Sequence, residues 1–182
     1  MHTQPQSDSQ DVLQSLLSYL EKEYYTRLET LCERADLHIA ELHNGDVHQT
    51  ASLYTSLSKK LIGQIAQYIR LRRFGFLPYI HELMDKEDSG HDCRACSSSC
   101  TIRHTAHISG IKEAHTKIKE TLYRLQSVAT PIYHESLHDL TYRLLRAEMM
   151  QLDTALTELF YLEESSLIPK VMEAQKAIHA HS

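Results

Sequence analysis

The chain has 182 residues, a length typical of a single domain. Its 42% hydrophobic and 24% charged residues exclude a disordered or collagen-like chain. Its 5 Gly and 4 Pro are too few for the many tight turns of an all-β sandwich. With a net charge of −5, the sequence shows no basic face for nucleic acid. These values favour a mostly helical protein.

The sequence also predicts where the protein works. No run of about 18 apolar residues occurs, so no membrane-spanning helix is expected. The polar segment 1–10 lacks the basic and apolar regions of a signal peptide. We therefore expect a cytoplasmic protein whose 4 Cys stay reduced, with neither nucleic acid nor a membrane as its partner. A protein partner and a homodimer both stay open.

Four long segments carry apolar residues three and four positions apart, the spacing of an amphipathic helix. They cover about residues 11–42, 46–84, 104–128 and 133–167. Asn44-Gly45 is a typical helix end and should close the first segment. We expect Pro78 to kink or interrupt the end of the second segment, Pro131 to break the third, and Pro169 to end or kink the fourth.

These segments predict an all-α fold, an up-down-up-down antiparallel four-helix bundle over residues 11–172. A disordered N-terminal tail is expected at 1–10, a C-terminal tail at 173–182, and a Cys-rich excursion at 85–101 between the second and third helices. Six apolar residues on three of the stripes should be buried: Leu61, Ile65, Ile111, Ile118, Leu152 and Leu156.

Three ionisable residues fall where the helical period calls for apolar ones: Arg72, His115 and Glu163. His138 is a weaker fourth. A hydrogen-bonded core histidine, or long side chains reaching water near helix ends, would explain each residue singly. Three such residues on three different helices favour a shared site, since a buried charge needs a partner or a metal.

Short motifs around these residues resemble those of a known family. Residues 68–78 read YIRLRRFGFLP, similar to H-M-x-K-E-E-x-x-L-F-P, and residues 159–169 read LFYLEESSLIP, similar to H-x-x-L-E-N-N-x-L-F-P. Ala114-His115 matches a third-helix E-H pair, and Tyr24-Tyr25-Thr26-Arg27 matches a first-helix Y-H motif. The chain thus resembles the hemerythrin-like domain of the di-iron proteins that repair iron–sulfur clusters, of the regulator of cell morphogenesis and NO signalling type.

The resemblance implies a hemerythrin-like bundle and a bacterial protein of the nitric-oxide stress response. It also implies a ligand set: the family's histidines fall on Tyr25, Tyr68, His115 and Leu159, and its bridging carboxylates on Arg72 and Glu163. Only His115 and Glu163 retain the family's residue type, and two protein ligands cannot hold two iron ions.

We therefore expect a divergent, degenerate core site formed by the residues at five of these positions: His115, Glu163, Tyr25, Tyr68 and Arg72. Arg72 should neutralise Glu163 at a distance of about 4 Å or less. The rival interpretation is a rearranged iron site that uses His38, His134 or His138.

The segment between the second and third helices contains a C-x2-C-x3-C pattern flanked by histidines. Its candidate metal ligands are His91, Cys93, Cys96, Cys100 and His104. This pattern is compatible with zinc, with an iron–sulfur cluster, with a redox pair, or with unliganded surface thiols. The remaining cysteine, Cys32, is predicted to be a small core residue.

Three functions remain from these observations. The first is a hemerythrin-like stress protein with a divergent iron site, and the second is a metal-free regulatory or interaction module. The third is a zinc-binding or thiol-sensing protein that acts through the Cys-rich segment. The cofactor would be iron, zinc or none, accordingly. No arrangement of catalytic residues is recognised, so an enzymatic activity is not predicted.

Overall fold

The computed structural model describes residues 6–42, 49–89, 99–132 and 140–180. Throughout these ranges the backbone is helical apart from a turn at Ser89, and they contain no strand. The prediction of an all-α protein is confirmed. All six predicted core residues are buried, none more than 4% exposed.

The described residues form four long helices, three of which contain one widened, π-helical turn. Helix α1 comprises Gln6–Leu20, the π turn Glu21–Tyr25 and Thr26–Leu42. Helix α2 comprises Gln49–Leu71, the π turn Arg72–Phe76 and Leu77–Asp88. Helix α3 is Ser99–Ile132, and α4 comprises Leu140–Leu162, the π turn Glu163–Leu167 and Ile168–Ala180.

The helices extend further than the sequence predicts. Helix α1 begins inside the expected tail of residues 1–10, and α4 continues to Ala180, past the expected boundary at 172. Helices α2 and α3 both extend into the expected excursion of residues 85–101, ending at Asp88 and beginning at Ser99. Residues 90–98 lie outside the described ranges.

The expectation that proline interrupts or ends the helix is wrong for Pro78 and Pro169. Pro78 and Pro169 each lie two residues after a π turn, and the helix continues beyond both. In those turns the backbone N–H of Leu77 donates to the carbonyl of Arg72, five residues back. The proline lies where the hydrogen bonds change from the π-helical spacing of five residues back to the α-helical spacing of four. Its missing N–H therefore does not interrupt a regular series of α-helical hydrogen bonds. Pro131 lies in the last turn of α3, next to its final residue.

The four helices pack around one hydrophobic core. Helix α1 contacts α2 and α4, and α2 also contacts α3 and the last part of α4. Leucine, isoleucine and tyrosine side chains from all four helices form a continuous buried cluster. Hydrogen bonds join neighbouring helices at the rim, in the pairs Gln14 with His81, Gln64 with the Lys117 carbonyl, and Gln126 with Asp153.

In the part of the chain that the structure describes, no helix combines the length and the apolar character needed to cross a membrane.

Candidate functional site in the bundle core

Each π turn contributes one residue to a polar cluster inside the core. Tyr25 is the last residue of the first π turn, and Arg72 and Glu163 are the first residues of the second and third. A π turn inserts one extra residue into a helix and so redirects the side chains on either side of it. Such turns occur frequently at functional sites.

The carboxylate of Glu163 is the centre of this cluster. Its Oε2 accepts hydrogen bonds from Arg72 Nη2 at 2.5 Å, from the Tyr68 hydroxyl at 2.6 Å and from His115 Nε2 at 2.7 Å. Its Oε1 accepts one from the Tyr25 hydroxyl at 3.2 Å. All five side chains are buried. The predicted Arg72–Glu163 ion pair is therefore confirmed, with the three predicted neighbours beside it.

Aromatic rings enclose the charged groups. His115 stacks on Phe160 with ring centroids 3.9 Å apart. The Arg72 guanidinium lies over Tyr68 at 4.8 Å and over Phe76 at 4.9 Å. These contacts hold the imidazole and guanidinium in place and exclude water, which strengthens the electrostatic interactions among them.

The pKa values follow from burial and from these contacts. Burial alone would raise the pKa of Glu163, but Arg72, His115 and Tyr68 outweigh it, and the pKa lies below the ordinary value. Burial first, and then the charge of Glu163, raise the pKa of Tyr68 and of Tyr25 well above their ordinary value. Burial would lower the pKa of Arg72, and Glu163 raises it instead. The cluster thus holds an ionised carboxylate, a guanidinium and two protonated phenols.

His115 connects the buried cluster to the surface. Its Nδ1 lies 3.0 Å from Glu164 Oε1, which also accepts from Lys119 Nζ at 3.0 Å. The hydrogen bonds from His115 and Lys119 lower the pKa of Glu164. Because an ionised carboxylate only accepts hydrogen bonds, both ring nitrogens of His115 donate, one to Glu163 and one to Glu164. A ring that donates from both nitrogens carries a positive charge.

This donor set does not fit a pair of iron ions. Iron sites of this kind need several imidazole nitrogens and bridging carboxylates, whereas here a guanidinium contacts Glu163, the one carboxylate inside the cluster. Tyr25 and Tyr68 present protonated hydroxyls, and Leu159 is a buried hydrocarbon. In the described ranges, no three His, Cys, Asp or Glu side chains are placed to hold a metal ion.

The other predicted ligands are not brought to this cluster. His91, Cys93, Cys96, His134 and His138 lie outside the described residues, and Cys100 is in the first turn of α3 with its side chain outside the described part. His104 Nδ1 lies 2.7 Å from the Tyr79 hydroxyl. His38 is 13 residues from Tyr25 along α1, which corresponds to about 20 Å at 1.5 Å per residue. That distance separates His38 from the cluster.

Cys32 is a core residue, as predicted. It is 8% exposed, and burial first, followed by the nearby acidic side chains, raises the pKa of its thiol to about 12. The thiol is therefore protonated and unreactive at neutral pH.

Sequence reasoning missed two parts of the charge network. One is the pair Glu164 and Lys119, which extends the cluster to solvent. The other is Glu148, a buried carboxylate on α4 that pairs with Arg34 on α1. A signal for Glu148 exists in the sequence, because it lies on the same apolar stripe as Leu145 and Leu152.

Comparison of the sequence with protein-family models gives no match, and neither does comparison with curated proteins. The structure by itself defines the class of protein: an all-helical bundle with a buried, hydrogen-bonded cluster of charged groups in its core.

Proposed function

We propose that this protein is a hemerythrin-like bundle in which an ion-pair cluster replaces the di-iron centre, and that it works as a metal-free binding and regulatory module. The observation that carries this proposal is the 2.5 Å contact between Arg72 Nη2 and Glu163 Oε2. In the family that the sequence resembles, these two positions hold the bridging carboxylates.

The helix contacts support the up-down-up-down topology of such a bundle. Between α1 and α4, Arg34 pairs with Glu148 and Tyr25 pairs with Glu163. Residue numbers therefore fall along α1 in the direction in which they rise along α4. Helices α2 and α3 follow the same rule: Gln64 bonds to the carbonyl of Lys117, Tyr68 contacts His115, and Tyr79 contacts His104. Opposite trends in numbering are expected of antiparallel neighbours.

The chemistry of the cluster supports a metal-free core. A guanidinium stays protonated at any pH that proteins experience, so Arg72 places a permanent positive charge where a second bridging anion would be needed. A metal cation would also compete for Glu163 Oε2 with three hydrogen-bond donors already within 2.7 Å.

A series of hydrogen bonds connects the buried cluster to the surface, and this connection favours a binding or regulatory role over a purely structural one. Buried ion pairs contribute little net stability, and apolar replacements of similar volume are often equally stable. Here the chain runs from Arg72 through Glu163 and His115 to Glu164, whose side chain is about half exposed. A change at the surface carboxylate therefore reaches the core through two hydrogen bonds.

Metal analysis of the full chain tests the proposal. The protein is expressed in iron-rich medium and, separately, reconstituted with ferrous iron without oxygen, and then passed through a desalting column. We expect far less than one iron per chain and no absorption from an oxo-bridged iron pair. Two irons per chain would contradict the proposal and support the divergent iron site.

The same measurement tests the alternative that uses the Cys-rich segment. Cys100 and His104 are one turn apart on α3, a spacing that places two ligands on one face of a helix. One zinc per chain that is lost on Cys93→Ser, but kept on Cys32→Ser, would support that alternative.

A further inference from the structure

A groove between α2 and α3 leads to the buried charge cluster. This α2–α3 groove has a volume of about 190 Å³ and is lined by Tyr68, Arg72, Phe76, His107, Gly110 and Ala114, among others. A second hollow of about 230 Å³ adjoins it along the same helices and shares Tyr68, Gly110 and Ala114. The absence of side chains at Gly75 and Gly110 keeps the first hollow open.

Arg72, at the end of this groove, has a hydrogen-bond donor to spare. Its Nη2 donates to Glu163 and to the Tyr68 hydroxyl. Its Nε is buried and has no hydrogen-bond partner among the described residues. Buried donors in native proteins are nearly always satisfied, so this exception calls for an explanation, and a ligand that enters as the side chains lining the groove shift is one.

The charge around Glu163 favours an anionic ligand. Arg72 and the doubly hydrogen-bonded His115 bring two positive charges to one buried carboxylate. Glu164, on the far side of His115, is shared with Lys119 and half exposed to solvent. At the outer hollow, Glu113 is paired with Lys117. The groove wall at Arg72 therefore has an excess of positive charge.

The field of Arg72 also reaches the opposite wall of the groove. The pKa of His107 is lowered, first by burial and then by Arg103, against an opposing effect of Glu82 that exceeds the remaining contribution of Arg72. His107 thus presents a neutral ring to the groove at neutral pH. Its two nitrogens then provide one donor and one acceptor for a polar ligand.

We propose that the α2–α3 groove binds a small oxyanion, of the size of nitrate or a one- to three-carbon carboxylate, against the guanidinium of Arg72. A water molecule takes up about 30 Å³ of liquid, so a hollow of this size matches an ion of a few heavy atoms. The inference rests on the proposed function, because an iron pair in the core would displace the guanidinium.

Two glycine substitutions make a matched pair for the test. A Cβ added at Gly110 or at Gly63 meets no atom within 4 Å, so both Gly110→Leu and Gly63→Leu should fold. Gly110 lines the groove, and Gly63, also exposed on a helix, does not. Arg72→Lys is the third variant, since it keeps a cation for Glu163 but lacks the Nε donor.

The experiment follows the side-chain Nε–Hε signals of ¹⁵N-labelled protein by NMR while sodium nitrate is added. A parallel titration with sodium chloride at the same ionic strength measures the effect of salt alone. The Arg72 signal is assigned by its absence in Arg72→Lys. We expect it to shift with saturation, at a midpoint of about 1 mM, in the parent chain and in Gly63→Leu. In Gly110→Leu the same signal should not saturate.

Two results would overturn the inference: a linear shift in the parent chain, or the same saturating shift in Gly110→Leu and Gly63→Leu. Iron content is measured on the same samples. A chain without iron that fails to bind nitrate would sink the anion site and leave the proposed function standing. A chain that holds two irons would sink the proposed function itself.

Discussion

At the scale of single residues, Arg72 and Glu163 illustrate how a buried charge is maintained in an apolar core. Burying either charge alone would cost free energy, because a buried charge loses its contact with water. The pair is satisfied by the hydroxyls of Tyr25 and Tyr68 and by the imidazole of His115. The energetic question is therefore what happens when one member is removed.

Truncating Arg72 should be more damaging than removing the whole ion pair. We expect Arg72→Ala to lower the free energy of unfolding by about 3–5 kcal/mol, because it leaves a buried carboxylate without its cation. The double variant Arg72→Met with Glu163→Leu removes both charges but leaves Tyr25, Tyr68 and His115 without their acceptor, so it should cost roughly 1–3 kcal/mol, less than Arg72→Ala. Urea unfolding followed by circular dichroism measures both. Arg70→Ala, exposed on the same helix, is the control and should stay within about 0.5 kcal/mol.

The lowered pKa of Glu163 makes the stability depend on pH in acid. The pKa in the folded protein lies below the ordinary value of 4.5, so the stabilisation is complete above 4.5 and is lost as the pH falls through the folded value. We expect the parent chain to lose more unfolding free energy between about pH 5 and pH 3 than the Arg72→Met, Glu163→Leu variant. The acidic residues outside the pair titrate in both chains, so their contribution cancels. Equal losses in the two chains would contradict this account.

At the scale of the helices, the π turns position the site. The second one separates Arg72 from the core residues that follow, Ile80 and Leu83. Because the π turn accommodates one extra residue, removing a residue there would restore ordinary helical spacing and leave the later side chains facing the core. The wide turn itself, which holds Arg72 in its first position, would be lost.

Deleting Gly75 should consequently displace Arg72 from Glu163 while the later apolar side chains stay buried, and we expect a loss of roughly 1–3 kcal/mol of unfolding free energy. Gly75→Ala is the matched control. It adds a Cβ where no atom lies within 4 Å and keeps the number of residues, so it should be neutral or slightly stabilising. Thermal unfolding of the two variants compares them. A deletion that is as stable as Gly75→Ala would show that the π turn is dispensable.

Much of this architecture can be predicted from the sequence, because the apolar period is long and regular. The three exceptions, Arg72, His115 and Glu163, are recognisable since they interrupt buried stripes. Helix ends and π turns are harder to predict. A π turn adds one residue, and the apolar residues around it are still three to five positions apart. The spacing of apolar residues in the sequence therefore does not distinguish a π turn from an ordinary helical turn. Exposed partners such as Glu164 look like any solvated helix position.

At the scale of the whole molecule, the charge cluster is a polar region within a mostly apolar core, which also contains the buried carboxylate of Glu148. The cluster contains residues of all four helices: Tyr25 from α1, Arg72 from α2, His115 from α3 and Glu163 from α4. It therefore depends on the complete bundle, and the bundle determines the relative positions of these side chains. The same scaffold would accept a different ligand set at the same positions if the resemblance to hemerythrin-like domains holds.

If the core has this hemerythrin-like geometry, restoring the ligand residues should give the chain an iron site. Four substitutions, Tyr25→His, Tyr68→His, Arg72→Glu and Leu159→His, would give the chain the imidazoles and the second carboxylate that the resemblance assigns to these positions. Together with His115 and Glu163 they provide four nitrogen ligands and two carboxylates. We expect the variant to bind about two ferrous ions per chain after anaerobic reconstitution, whereas the parent binds essentially none.

Metal analysis and the absorption spectrum after exposure to air measure the result. The control is Arg72→Glu alone, which brings two carboxylates together without the new imidazoles and should be unstable in the absence of metal, because two buried like charges repel. If the fourfold variant folds, as judged by its helical circular dichroism, but binds no iron, the four helices do not present these positions as a hemerythrin-like site does. If it binds two irons, the core geometry of the family is present in this chain, and the residues at these four positions, Arg72 among them, keep the metal out.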